Sequence, residues 1–132
     1  MILYKGIKIK CDCKVLPPKG YSAITLFGTV YTRRSEETVQ RYLETEQGKR
    51  WINHEWIHIL QKQSLHSWIL FYILYLFYFF KMWPFCTTSW DLAYHTIPFE
   101  LESYTNQGDL DYDKSEWKKY VKTNKERMQY KY

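Results

Sequence analysis

The chain has 132 residues, of which 45% are hydrophobic and 20% aromatic. This composition excludes a disordered chain and fits one domain with a modest core. The formal net charge of +5 comes from scattered lysines, with concentrations in 5–19 and 114–131, and not from one basic stripe. Such a distribution favours a solvated surface, so we expect no specific nucleic-acid partner.

Cysteine usage and the N-terminal residues indicate the cellular compartment. Three cysteines do not make a disulfide framework, and Cys11 and Cys13 are too closely spaced for an ordinary bridge, so we expect reduced thiols. Met1 to Tyr4 are followed by charges and not by an apolar segment with a cleavage site. We therefore expect no signal peptide and a cytoplasmic location, with membrane association left open.

The first third of the chain predicts two strands and a helix. Apolar and lysine residues alternate at Ile7–Lys10, which indicates a strand with one wet face. Residues 22–31 are rich in β-branched and aromatic types and predict a second strand, with Gly28 as a bulge. Residues 35–46 have helical spacing, and Gly48 is expected to end that helix.

The next predicted helix, at 50–64, contains the H-E-x-x-H pattern His54-Glu55-Trp56-Ile57-His58. On a helix, residues four apart lie one above the other, so both imidazoles can reach a single Zn²⁺ with Glu55 beside them. The pattern therefore predicts a metal site that activates water. The structural alternative is an amphipathic helix whose two histidines lie on a solvated face.

A charge-free aromatic run at 68–80 predicts a third helix, within an inserted segment at 67–83. A membrane span needs about 20 apolar residues, so a full span is the least favoured interpretation. Two others stay open: a helix that is buried or covers the metal site, and a helix attached peripherally to a membrane. An exposed part of this run would also suit a homodimer contact.

A zinc site for catalysis needs a third protein ligand. Pro98 suits the first turn of a helix that continues to about Gly108 and contains Glu100 and Glu102. These two carboxylates point about 200° apart on a helix, so only one can face a metal. We assign Glu100 as the ligand and Glu102 as the alternative. Candidates for orienting a ligand or for donating to an oxyanion are, by position, Tyr94, His95 and Tyr104.

HEWIH followed by PFELESY resembles a small gluzincin metallopeptidase, in which a second helix carries a glutamate ligand. The resemblance implies that His54, His58 and Glu100 bind zinc and that Glu55 is the general base. It also implies a zincin-like α+β fold, with a small antiparallel or mixed sheet packed against the H-E-x-x-H helix and the glutamate helix, and the aromatic helix between them. Residues 1–113 would form this domain, with 114–132 as a basic C-terminal helix or tail.

Two functions are compatible with these features. The first is zinc-dependent hydrolysis of a peptide or protein substrate by activated water. The resemblance implies that the strand at 22–31 would be the sheet edge on which the substrate lies. The second is a non-catalytic, zinc-stabilised module that associates with a membrane or binds proteins. The presence of Glu55 favours the enzyme, because an inactive module gains little from a carboxylate at that position.

Overall fold

A computed structural model describes residues 1–131 and confirms the α+β class. The strands are β1 (Ile2–Tyr4), β2 (Ile7–Lys10), β3 (Ala23–Leu26) and β4 (Thr29–Thr32). The helices are α1 (Glu36–Glu44), α2 (Glu46–Leu65), α3 (Trp68–Phe80), α4 (Trp90–His95), α5 (Pro98–Asn106) and α6 (Asn124–Met128), and a 3₁₀ turn spans Trp117–Tyr120.

The chain divides into two compact units, Met1–Trp56 and Ile57–Tyr132, and the boundary falls inside helix α2. Each unit has its own packing. That residues 1–113 form a single zincin-like domain stays a prediction.

The first unit contains a four-stranded mixed sheet in the order β1-β2-β4-β3. Strand β2 pairs parallel with β4, whereas the two outer pairs are antiparallel. In β2 the isoleucines are buried and the lysines are exposed, as the alternation predicted. The single strand predicted at 22–31 is wrong. Phe27 and Gly28 instead form a tight turn between β3 and β4, with φ of 52° and 81°, the backbone that two-residue hairpin turns require.

The sequence predicted that Gly48 ends helix α1, and this prediction is wrong. Helix α1 stops at Glu44, and the Thr45 hydroxyl accepts a hydrogen bond from the Gly48 backbone N–H at 3.0 Å, so Gly48 lies in the first turn of α2. A Cβ at Gly48 would overlap the backbone carbonyl of Tyr42. The absence of a side chain here therefore permits the tight junction of the two helices.

Gly48→Ala is expected to lower the free energy of unfolding by about 1–3 kcal/mol, because the added methyl group overlaps backbone that cannot move without distorting α1. Urea denaturation measures this change. The matched control is Gly108→Ala, where an added Cβ meets no atom within 4 Å. Without the overlap, alanine in a helix would stabilise by up to about 1 kcal/mol, so an unchanged or raised stability of Gly48→Ala would contradict the prediction.

The second unit has an aromatic core built on α3, α5 and the C-terminal segment. Phe99 is fully buried; its ring stacks on Phe71 at 4.8 Å between centroids and meets the edge of Trp117 at 4.9 Å. The segment predicted as a C-terminal helix or tail is thus part of this core. Arg127 on α6 is buried as well, and it donates to Thr96 Oγ1 at 3.0 Å and to the Ala93 carbonyl at 3.1 Å.

Helix α3 has the predicted bounds and two different faces. Phe71 and Phe79 are buried, whereas the opposite side is exposed. Within residues 1–131, no single helix combines the length and apolar character needed to cross a bilayer. Helices α2 and α3 reach the necessary length and apolar character only as a pair, and the chain bends by 109° at the break between these two helices.

Candidate metal centre

Three of the predicted ligands come together. His54 and His58 lie one turn apart on α2, and Glu100 lies in the first turn of α5. One ligand atom from each residue can be chosen so that all three lie within 4.8 Å of one another. His54 and Glu100 are buried, and His58 is partly buried. The spacing of 42 residues between His58 and Glu100 is therefore compatible with one shared site.

The closest pair in this group is His58 Nε2 and Glu100 Oε1, which are 3.1 Å apart. Two ligands at about 2.1 Å from a tetrahedral ion are separated by about 3.4 Å. The distance between these two atoms is thus close to the ligand-to-ligand distance around a small divalent cation.

The protonation of His58 follows from its neighbour Gln61. The Gln61 amide nitrogen donates to two acceptors, the Phe99 carbonyl and Glu102 Oε1, each at 2.8 Å. Its amide oxygen must then be the atom that faces His58 Nδ1, again at 2.8 Å. An amide oxygen there favours a proton on Nδ1, and the Ser103 hydroxyl lies 3.4 Å from the same nitrogen. In the neutral imidazole, Nε2 consequently carries the lone pair and is directed at Glu100.

The contact between His58 Nε2 and Glu100 Oε1 is compatible with two arrangements. With a second proton on the imidazole, Nε2 donates to the carboxylate and the two residues form an ion pair. In the neutral form, the Nε2 lone pair and the carboxylate oxygen are both donor atoms for a cation. Because His54 adds another imidazole to the same group, a cation can be held by three donors at once.

The second oxygen of Glu100 accepts a hydrogen bond from a tyrosine. The Tyr75 hydroxyl donates to Glu100 Oε2 at 2.9 Å, and the Tyr94 side chain also interacts with the Glu100 carboxylate. Burial first, and the charge of Glu100 next, raise the pKa of both phenols above the usual value. Both therefore stay protonated near neutral pH and act as donors, which orients the carboxylate.

Glu102, the alternative ligand, belongs to a different network. It is fully buried, and its carboxylate accepts hydrogen bonds from Gln61, Tyr112 and Ser115 at 2.7–2.8 Å and from the Glu116 backbone N–H. Glu100 and Glu102 thus diverge, as two residues two positions apart on a helix must. Through Gln61, Glu102 supports the orientation of His58.

Of the three predicted orienting or oxyanion-donating residues, Tyr94 interacts with Glu100. Tyr94 also interacts with Tyr104. Tyr104 stacks on His95 at 5.1 Å between ring centroids, and the His95 Nδ1 N–H donates to the Asp91 carbonyl at 2.8 Å. Tyr94 is thus positioned to orient the carboxylate. Glu55, the predicted general base, is partly exposed on the same helix as the two histidines.

Two residues of this centre were not predicted from the sequence, Gln61 and Tyr75. A signal existed for Gln61, because it follows His58 by three positions and so shares its side of the helix. Tyr75 is one of several tyrosines in the aromatic run, and nothing in the run distinguishes it from the others.

The chain matches no protein-family model, no curated protein and no solved structure.

Proposed function

We propose that this chain is a zinc-dependent metallopeptidase that hydrolyses peptide bonds with water. One observation supports the proposal above all others: His54, His58 and Glu100 bring three ligand atoms within 4.8 Å of one another.

The donor set suits zinc. Zinc takes imidazole nitrogen and carboxylate oxygen, and a catalytic zinc has three protein ligands with one position left for water or substrate. Two histidines and one glutamate provide such a set. The same three donor types also bind ferrous iron, so the identity of the metal has to be measured.

Zinc bound by these residues would supply a water molecule that loses its proton near neutral pH and a positive charge that polarises the scissile carbonyl. The remaining chemistry belongs to the protein. Glu55 accepts a proton from the attacking water and then donates it to the leaving amine, so the C–N bond breaks and one water is consumed. Gln61 keeps His58 in one tautomer, and Tyr75 and Tyr94 hold the Glu100 carboxylate in place.

The test separates metal binding from catalysis. Glu55→Gln is expected to keep the zinc content of the native protein and to lower the turnover of a peptide library by at least about 100-fold, the lower range for loss of a general base. Elemental analysis gives the metal content, and mass spectrometry of the peptides gives turnover. Glu46→Gln, an exposed residue at the start of the same helix, is the matched control and should behave as the native protein.

Two results would contradict the proposal. Iron in place of zinc would remove the peptidase assignment and indicate other chemistry at the same ligands. Zinc in both proteins with no cleavage by either would favour the alternative, a non-catalytic, zinc-stabilised module that associates with a membrane or a protein.

A further inference from the structure

Helix α3 has an apolar side that the described residues leave uncovered. Its outward side chains are 40–71% exposed although all of them are large and hydrophobic; they are Ile69, Leu70, Ile73, Leu76, Phe77 and Phe80. They recur at helical spacing and form one continuous stripe, here called the α3 outer face. The opposite side holds Phe71 and Phe79 in the core and Tyr75 against Glu100. A contiguous exposed patch of this kind marks an interaction surface.

The charged residues that flank α3 in the sequence, Lys62 and Lys81, are both positive, and the first acidic residue after the helix is the exposed Asp91. Residues 56–90 include Lys62 and Lys81 and not one aspartate or glutamate. Lys62 precedes α3, with its Nζ 5.8 Å from the Trp68 ring centroid, and Lys81 follows the last residue of the helix. The Asn124 side chain donates to the Lys81 carbonyl at 3.1 Å, which brings the exposed Lys125 to the same end. The stripe thus has a cation at each end.

Large aromatic side chains lie at the C-terminal end of α3. Trp83 contacts Phe80 of the outer face at 6.2 Å between ring centroids, whereas Trp90 contacts Phe79 on the core side at 6.5 Å. Trp90 and Phe85 are exposed, at 51% and 81%. Tryptophan and lysine beside an apolar helix face are the residues that settle at the headgroup level of a bilayer.

We infer that the α3 outer face binds the surface of an anionic lipid bilayer, with α3 lying in the plane of the headgroups. The helix has 13 residues and is about 20 Å long, which suits an interfacial and not a spanning position. Charge decides between lipid and a second copy of the chain. In a two-fold dimer across this face, the lysines at the helix ends would oppose lysines of the other copy, whereas anionic lipid neutralises them.

Co-sedimentation with vesicles tests this inference. The full-length chain is expected to bind vesicles of phosphatidylcholine mixed with phosphatidylserine more strongly than vesicles of phosphatidylcholine alone. The double variant Ile73→Ser with Phe77→Ser should have a partition coefficient at least about tenfold lower on both kinds of vesicle. Lys62→Gln and Lys81→Gln should each lower it about fivefold on the serine-containing vesicles only.

Controls keep the result interpretable. The substituted side chains are exposed, so circular dichroism and thermal unfolding should match those of the native chain. Leu3→Ser and Val15→Ser remove exposed apolar side chains at 68% and 83% exposure outside α3 and should leave partitioning unchanged.

Three outcomes would overturn the inference: no binding of the native chain to either vesicle, an equal loss in the Leu3 and Val15 variants, or a dimer in analytical ultracentrifugation that the Ile73 and Phe77 changes dissociate. The last would assign the α3 outer face to a second copy. Zinc content is measured separately, so failure here leaves the proposed function unaffected.

Discussion

Replacing Glu100 with glutamine is expected to weaken Zn²⁺ binding by at least about 100-fold, beyond the usual effect of a residue that only orients a ligand. Glutamine keeps the size of the side chain and an oxygen that Tyr75 can donate to. It lacks the negative charge, and its amide nitrogen cannot act as a ligand. The loss should therefore be specific to the metal.

Thermal or urea unfolding with and without zinc measures the effect. At a free zinc concentration about 100 times the native dissociation constant, bound metal stabilises the native chain by about 2.7 kcal/mol, and a 100-fold weaker variant by only about 0.4 kcal/mol. With a chelator present, the difference between the two chains gives the effect of the substitution that does not depend on metal, which is subtracted. Asp113→Asn, which removes an exposed carboxylate, is the control. Equal zinc stabilisation of the Glu100→Gln and native chains would remove Glu100 from the ligand set.

Glu102→Ala is expected to lower the free energy of unfolding by about 3–5 kcal/mol, the range for a buried group whose removal leaves several donors without acceptors and a cavity behind. The carboxylate joins Gln61 on α2 with Tyr112, Ser115 and the Glu116 backbone. Its loss therefore affects the attachment of residues 112–117 to α5 as well as the orientation of Gln61.

Urea denaturation of the metal-free chain measures this cost without any contribution from zinc. Glu116→Ala is the matched control, because its side chain is 49% exposed and forms only a surface ion pair with Lys119 at 2.9 Å; such pairs contribute at most about 1 kcal/mol. Titration of Tyr112 provides an independent readout. Burial first, and the hydrogen bond to Glu102 next, raise the Tyr112 pKa, so Glu102→Ala should move that pKa downward. Similar costs for both variants would contradict the assigned role of Glu102.

Local patterns were sufficient for three of the helices. Helices α1, α3 and α5 lie where periodicity, capping residues and Pro98 predicted them, because each of these signals acts within one or two turns of chain. The hairpin at Phe27 and Gly28 was missed, since this pair lacks the asparagine-glycine or aspartate-glycine signal of such turns. Gly48 was misjudged for a related reason: glycine commonly ends a helix, but here it permits a second helix to begin directly after Thr45.

In the candidate site, too, some features follow from local helix geometry and others only from tertiary packing. That His54 and His58 share one side of a helix follows from their spacing alone, since residues four apart are adjacent on any α-helix. The hydrogen bonds of Gln61 to Phe99 and Glu102 join residues 38 and 41 positions apart. Such partners depend on how α5 packs, so a glutamine after the motif has no predictable role until the packing is known.

The sequence by itself determined the class of secondary structure, the pair of imidazoles one turn apart and the divergence of Glu100 from Glu102, because helix geometry alone sets all three. The tertiary structure decided which of the two carboxylates meets the histidines, which side chains contact the two nitrogens of His58 and which side of α3 stays uncovered. These properties arise from contacts between residues far apart in the chain, and only the packing of the folded helices brings those residues together.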